Sequence, residues 1–111
     1  MKSAWLCVTA AALLCLCSEA EAGSATAGQI SGILSHRQGR LFFRHNGVRS
    51  GTPACSTINR WVIDTTTAAG QSMAATILSA YALGKSVQIE GTNECGLWGD
   101  TESVNYVEIL G

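Results

Sequence analysis

Few side chains in this sequence are of a type that does chemistry, and their spacing limits what that chemistry can be. His36 and His45 are its only imidazoles, and neither has a partner at metal-ligand spacing. Serine and threonine are abundant, yet none stands in a Gly-x-Ser-x-Gly nucleophile elbow. Asp100 and Glu102 could form a glycosidase pair, but so short a chain cannot shape a deep cleft around two loop acids. Asp64 precedes threonines and good helix formers, where an aspartate caps more often than it catalyses. We expect a protein that is not an enzyme and that needs no metal and no cofactor.

Recognition chemistry is concentrated in one stretch, Gly91-Thr92-Asn93-Glu94-Cys95-Gly96-Leu97-Trp98-Gly99-Asp100-Thr101-Glu102. A sugar site needs an aromatic face for C–H groups and a few fixed polar groups for hydroxyls. Trp98 between two glycines supplies the first, and Asn93, Asp100 and Glu102 supply the second. These four are the candidate ligand-binding residues. The other reading has Trp98 folded back as a lid on the core, with Asp100 or Glu102 bonding loop amides. Trp61, inside an apolar run, reads as core. Arg37, Arg40, Arg44, Arg49 and Arg60 cluster in the first half around Phe42 and Phe43. Nucleic-acid binding draws its affinity from phosphate contacts, and this chain has a net charge of only −1. The arginines read as a solvated face or a subunit contact, and nucleic acid is not expected as a partner.

The cysteines ask for an oxidising compartment, and the N-terminus supplies the route. Met1-Lys2-Ser3, an apolar run from Ala4 to Cys17, and an Ala20-x-Ala22 ending have the layout of a cleavable signal peptide over residues 1–22. The run is shorter than the roughly 20 residues a membrane span needs, so no span is expected after cleavage. Cys15 follows Leu14 and Cys17 follows Leu16, which does not suit lipid attachment. Cleavage after Ala22 removes Cys7, Cys15 and Cys17 from the five cysteines and leaves Cys55 and Cys95. Seven basic and eight acidic residues become six and six once Lys2, Glu19 and Glu21 leave. Residues 23–111 read as one small domain, periplasmic or secreted. Two cysteines in an exported domain allow one internal disulfide, Cys55–Cys95; free thiols or an intermolecular bond are the alternatives.

The elements that must position these residues are short. Gly23–Gly28 is small and featureless and reads as a frayed terminus. Strands are expected over Gln29–Ser35, with a bend or bulge at Gly32, over Arg40–His45 and over Arg60–Asp64. Thr65–Thr67 offer N-caps for a helix over Ala68–Leu83, and Gly84 offers a left-handed C-cap. Met73, Ile77 and Tyr81, with Ala69 and Ala80, form its apolar stripe. Ser86–Glu90 and Val104–Ile109 read as the last strands, with Gly91–Thr101 as a loop. The class is mainly β with one helix. The order β-β-β-α-β-β is that of a small five-stranded barrel of the oligonucleotide/oligosaccharide-binding (OB-fold) type. An α+β sandwich with the helix across an open sheet is the runner-up.

Residues 69–104 also carry a family likeness. A helix ending in Gly84-Lys85, a strand Ser86–Glu90, and then Gly91, Cys95, Trp98, Asp100 and Glu102 resemble small exported bacterial proteins of uncharacterised function. The layout is more distantly similar to the OB-fold B subunits of AB-type toxins, of the subtilase-cytotoxin kind. The resemblance implies a disulfide-bonded barrel, glycan binding and a homo-oligomer, a pentamer if toxin-like. No sugar-contacting residue carries over by position. The resulting expectation is a non-enzymatic exported binding module for a glycan. The alternative is a periplasmic structural or inhibitory protein that acts through protein–protein contacts.

Overall fold

Ala25, Leu41, Phe43, Trp61, Ile63, Ile77, Val87 and Ile89 are buried together in one core, and the chain winds around them as a mainly β structure. The computed structural model describes residues 23–111. The signal-peptide reading, with Cys7, Cys15, Cys17 and Ala20–Ala22, lies outside the described residues. The strands are β1 (Ser24–Gly28), β2 (Ile30–His36), β3 (Arg40–His45), β4 (Arg49–Ser50), β5 (Trp61–Asp64), β6 (Val87–Gly91) and β7 (Glu102–Ile109). Among the described residues one helix, α1 (Ala68–Leu83), lies between β5 and β6. No helix among the described residues is long and apolar enough to cross a membrane.

All seven strands belong to one sheet, in the order β2-β3-β5-β7-β6-β1-β4. It is not closed, and β2 and β4 are its edges. Every ladder is antiparallel except β5 with β7, which run parallel and set Trp61 beside Glu102. Side chains alternate across a strand, so Leu41 and Phe43 of β3 enter the core while Phe42, also buried, faces the other side. Gly32 does mark a bulge: its φ is 55°, and the β2–β3 register shifts between Ser31 and Leu34.

Two strands exceed the five expected. The stretch read as a frayed terminus is β1, paired with both β6 and β4. Ala25 sits opposite Ile89 and is 2% exposed, so this segment is held by burial and not only by its ladders. The other addition, β4, is two residues long. The last strand also starts two residues early, at Glu102 and not Val104.

Helix α1 begins and ends where its capping residues direct. Thr67 is extended and its hydroxyl accepts from the Gly70 N–H, while Gly84 closes the helix at φ 65° in the left-handed region. The stripe that faces the sheet is Gly70, Ala74, Ile77 and Ala80, with Met73 partly buried against the core. Tyr81 and Ala69, expected in the stripe, point outward. At the start of the stripe only a glycine fits: a Cβ on Gly70 would collide with the Asp64 carbonyl oxygen. Replacing Thr67 with alanine removes the cap and is expected to cost about 1 kcal/mol. A melting curve should fall by about 4–8 °C for a domain of this size.

Candidate functional site

The segment singled out by its Trp and acids is anchored at several points. Cys55 and Cys95 form a disulfide across 40 residues, with a Cα separation of 6.2 Å. Thr92 N–H donates to the Ser103 carbonyl, and Ser103 N–H donates to the Glu94 carbonyl. Beyond the disulfide, the chain turns so that Thr101 N–H reaches the Trp98 carbonyl at 3.0 Å. The Asp100 carbonyl accepts from the Thr57 and Ile58 N–H groups, which joins this turn to the segment after Cys55.

Trp98 does not lie on the main core. Its ring meets Phe42 and His36 edge-on, with both centroid separations 5.0 Å. This is the face of β3 opposite the core, and the geometry suits aromatic quadrupoles. The guanidinium of Arg60 stacks on Phe42 at 4.2 Å. Arg60 also donates to Thr101 Oγ1 at 2.9 Å and pairs with Asp100 at 3.2 Å. The loop therefore covers the outer face of the β3–β5 pair with its own aromatic ring.

The four candidate residues do not converge on one opening. Asn93 is exposed and holds a left-handed backbone, φ 66°. Its N–H donates to Glu102 Oε2 at 3.0 Å. Trp98 is half-buried against His36 and Phe42, and Asp100 is half-buried and engaged by Arg60 and Thr101. Glu102 departs most from the reading of a loop acid. Its side chain is fully buried and pairs with Arg49 at 3.2 Å. Arg49 in turn lies 4.0 Å over the Trp61 ring and donates to the Arg60 carbonyl and the Ser56 hydroxyl. No local pattern in the sequence marks this pair, since the two residues are separated by 53 positions.

The opening lies on the other side of the same loop. A cleft of about 300 Å³ runs between the start of α1 and residues 92–97. Met73, Leu97 and Val104 give it an apolar floor, and Asp64, Thr67, Thr92, Glu94 and Ser103 supply polar groups. Arg40 stands behind it, pairing with Asp64 at 3.1 Å and donating to the Leu97 carbonyl at 3.4 Å. One guanidinium thus fixes an acid and a loop residue of the cleft. Glu94 is exposed.

Both histidines serve the fold. The Gly47 N–H donates to His45 Nδ1, so Nε2 carries the proton and donates to the Val87 carbonyl at 2.8 Å. His36 Nδ1 accepts from the Gln38 N–H and the ring packs on Trp98. Among the described residues no group of three His, Cys, Asp or Glu is placed to hold a metal.

Two carboxylates carry an acid dependence. The Thr66 hydroxyl and N–H, and then Arg40, hold Asp64 below the usual 3.8. The Thr101 hydroxyl, and then Arg60, hold Asp100 below it as well. A depressed folded value means the unfolded chain binds protons first, so stability falls as pH drops. The contribution is complete above the ordinary aspartate range and is lost as pH passes below it towards the folded values. Urea midpoints between pH 5 and pH 2 should fall, and Asp64→Asn with Asp100→Asn should flatten that fall. An unchanged profile in the double variant would contradict the assignment.

Comparisons of the chain with protein-family models, with characterised proteins and with solved structures find no match.

Proposed function

We propose that this chain is a non-enzymatic exported binding module whose ligand is a glycan, held in the cleft between the start of α1 and the disulfide-pinned loop. The carrying observation is the cleft itself, with its apolar floor and rim of hydroxyls and carboxylates. Its volume is at the lower end of the range for small-molecule sites, which suits a terminal sugar unit. Asp64 and Glu94 would accept from sugar hydroxyls, and Met73 and Leu97 would meet its C–H face. Trp98 acts in this reading as a positioning residue, because its packing on Phe42 fixes the backbone that presents Leu97.

An OB-like barrel is the finer reading of the fold. In its support, only Gln29 separates β1 from β2, so the two can act as one bent strand shared by both halves of the sheet. The His45–Val87 and Asn46–Gln29 bonds tie β3 to β6 and to that bend. The β3–β5 face, a usual ligand surface of such barrels, is covered here by Trp98, which moves the expected site to the cleft.

A broad glycan array followed by titration tests the proposal. Glu94→Ala should weaken binding about tenfold, the loss of one charge-assisted hydrogen bond, and leave the melting temperature unchanged. Trp98→Ala should lower both affinity and stability. An array with no binder would overturn the glycan reading. Exposed Leu78, Tyr81 and Leu83 on α1, with Tyr106 on β7, favour a second reading in which the module acts through protein contacts. Light scattering distinguishes two forms of the glycan reading: a ring-sized assembly supports the toxin-like form, and a monomer that binds sugar supports the module alone.

A further inference from the structure

Glu102 has more donors around it than its ion pair with Arg49 requires, and one of them belongs to a residue of special position. Gly23 is buried, and its backbone nitrogen lies 3.2 Å from Glu102 Oε2. Its carbonyl accepts from the Gly91 N–H at 2.6 Å, which fixes the residue against the sheet. The carboxylate lies in a cradle of two glycines. A Cβ on Gly23 or on Gly91 would collide with the Glu102 carboxylate oxygens, so neither position tolerates a side chain without displacing the acid. The leader pattern independently puts the signal-peptidase cut after Ala22. Gly23 is then the first residue of the exported chain, and the nitrogen beside Glu102 is its α-amino group.

We infer that leader removal creates a buried ion pair between the Gly23 α-ammonium and the Glu102 carboxylate, so that processing completes the folded domain. Cleavage hydrolyses the Ala22–Gly23 amide. Water supplies the hydroxyl of the new Ala22 carboxyl, and the nitrogen leaves as an amine that is protonated near neutral pH. An amide offers Glu102 one neutral N–H, whereas the ammonium offers three donors and a full charge. Charge-assisted bonds to a carboxylate are about twice as strong as neutral ones. Arg49 occupies Oε1 and the ammonium occupies Oε2 beside the Asn93 N–H, so both oxygens have charged partners. The uncut chain lacks this second cation.

The inference concerns maturation and stands apart from the glycan reading. Its test uses the mature chain with its disulfide formed, in three forms: starting at Gly23 with a free amine, starting one residue earlier at Ala22, and starting at Gly23 with an Nα-acetyl group. The free Gly23 form should melt about 5 °C or more above the other two at low salt, as a difference near 1 kcal/mol would give. Three melting temperatures within 1 °C of one another would overturn the proposal. So would an intact mass showing that the exported protein starts at another residue. In Glu102→Gln the gap between free and acetylated chains should vanish, and a persistent gap would contradict the pairing. Should that variant not fold, amine labelling of the unmodified chain decides: the Gly23 amine should acylate at least tenfold more slowly folded than in urea, and equal rates would refute the pair.

Discussion

Replacing Glu102 with alanine is expected to cost about 3–5 kcal/mol, as the loss of one partner from a buried ion pair does. The cost is large because the groups left behind have nowhere to turn. Arg49 is only 13% exposed at its side chain and is held over Trp61, so its charge stays in a poorly solvated place. The Asn93 and Gly23 nitrogens lose their common acceptor. Small domains are stable by about 5–15 kcal/mol in total, so one substitution removes a large share. Glu102→Gln keeps the shape and an acceptor oxygen and should cost less, about 1.5–3 kcal/mol. Urea unfolding at pH 7 measures both. An alanine variant within 1 kcal/mol of the unmodified protein would mean that water reaches Arg49 and that the pair does not organise the domain.

Opening the Cys55–Cys95 bond is the second large effect. A closed loop of 40 residues restricts the unfolded chain by about 4 kcal/mol in the chain-entropy description. At roughly 4–8 °C per kcal/mol, the Cys55→Ser, Cys95→Ser variant should melt about 20 °C lower. The native loop has other anchors, namely the Asp100 carbonyl on Thr57 and Ile58, Arg60 on Asp100, and Trp98 on Phe42. The variant should therefore keep near-native amide spectra at low temperature while losing its thermal margin. Spectra that collapse throughout residues 92–101 at 10 °C would instead make the disulfide the main support of the folded loop.

What could be read in the sequence is what local chemistry encodes. Thr67, Gly84 and the run between them mark α1, because caps and helix formers act over one turn. The exported pattern left Cys55 and Cys95 as the available pair, and they are bonded. Gly32 marked its bulge because a left-handed residue inside a strand pattern has few other uses. The parts that were not legible rest on distant partners. Ser24-Ala25-Thr26-Ala27-Gly28 has no large apolar residue to signal a strand, and it becomes β1 only because β6 and β4 flank it. Glu102 looks like a loop acid beside Asp100, but it is buried against Arg49, which is 53 positions away. Tyr81 fits the period-four pattern but lies outside the stripe, since the residues that α1 buries are Gly70, Ala74, Ile77 and Ala80. The cleft also rests on distant pairing, since β5 leads into α1, residues 92–101 join β6 to β7, and the β5–β7 ladder sets the two walls side by side.

The most direct test of the cleft is amide chemical-shift mapping of the mature, oxidised protein during titration with the strongest glycan from an array. Shifts should concentrate at Thr67, Gly70, Thr92, Gly96 and Leu97 and saturate with a single dissociation constant, and Glu94→Ala should weaken that constant about tenfold. Shifts confined to the exposed helix residues Leu78, Tyr81 and Leu83, or binding that Glu94→Ala leaves unchanged, would contradict a glycan site between α1 and the loop.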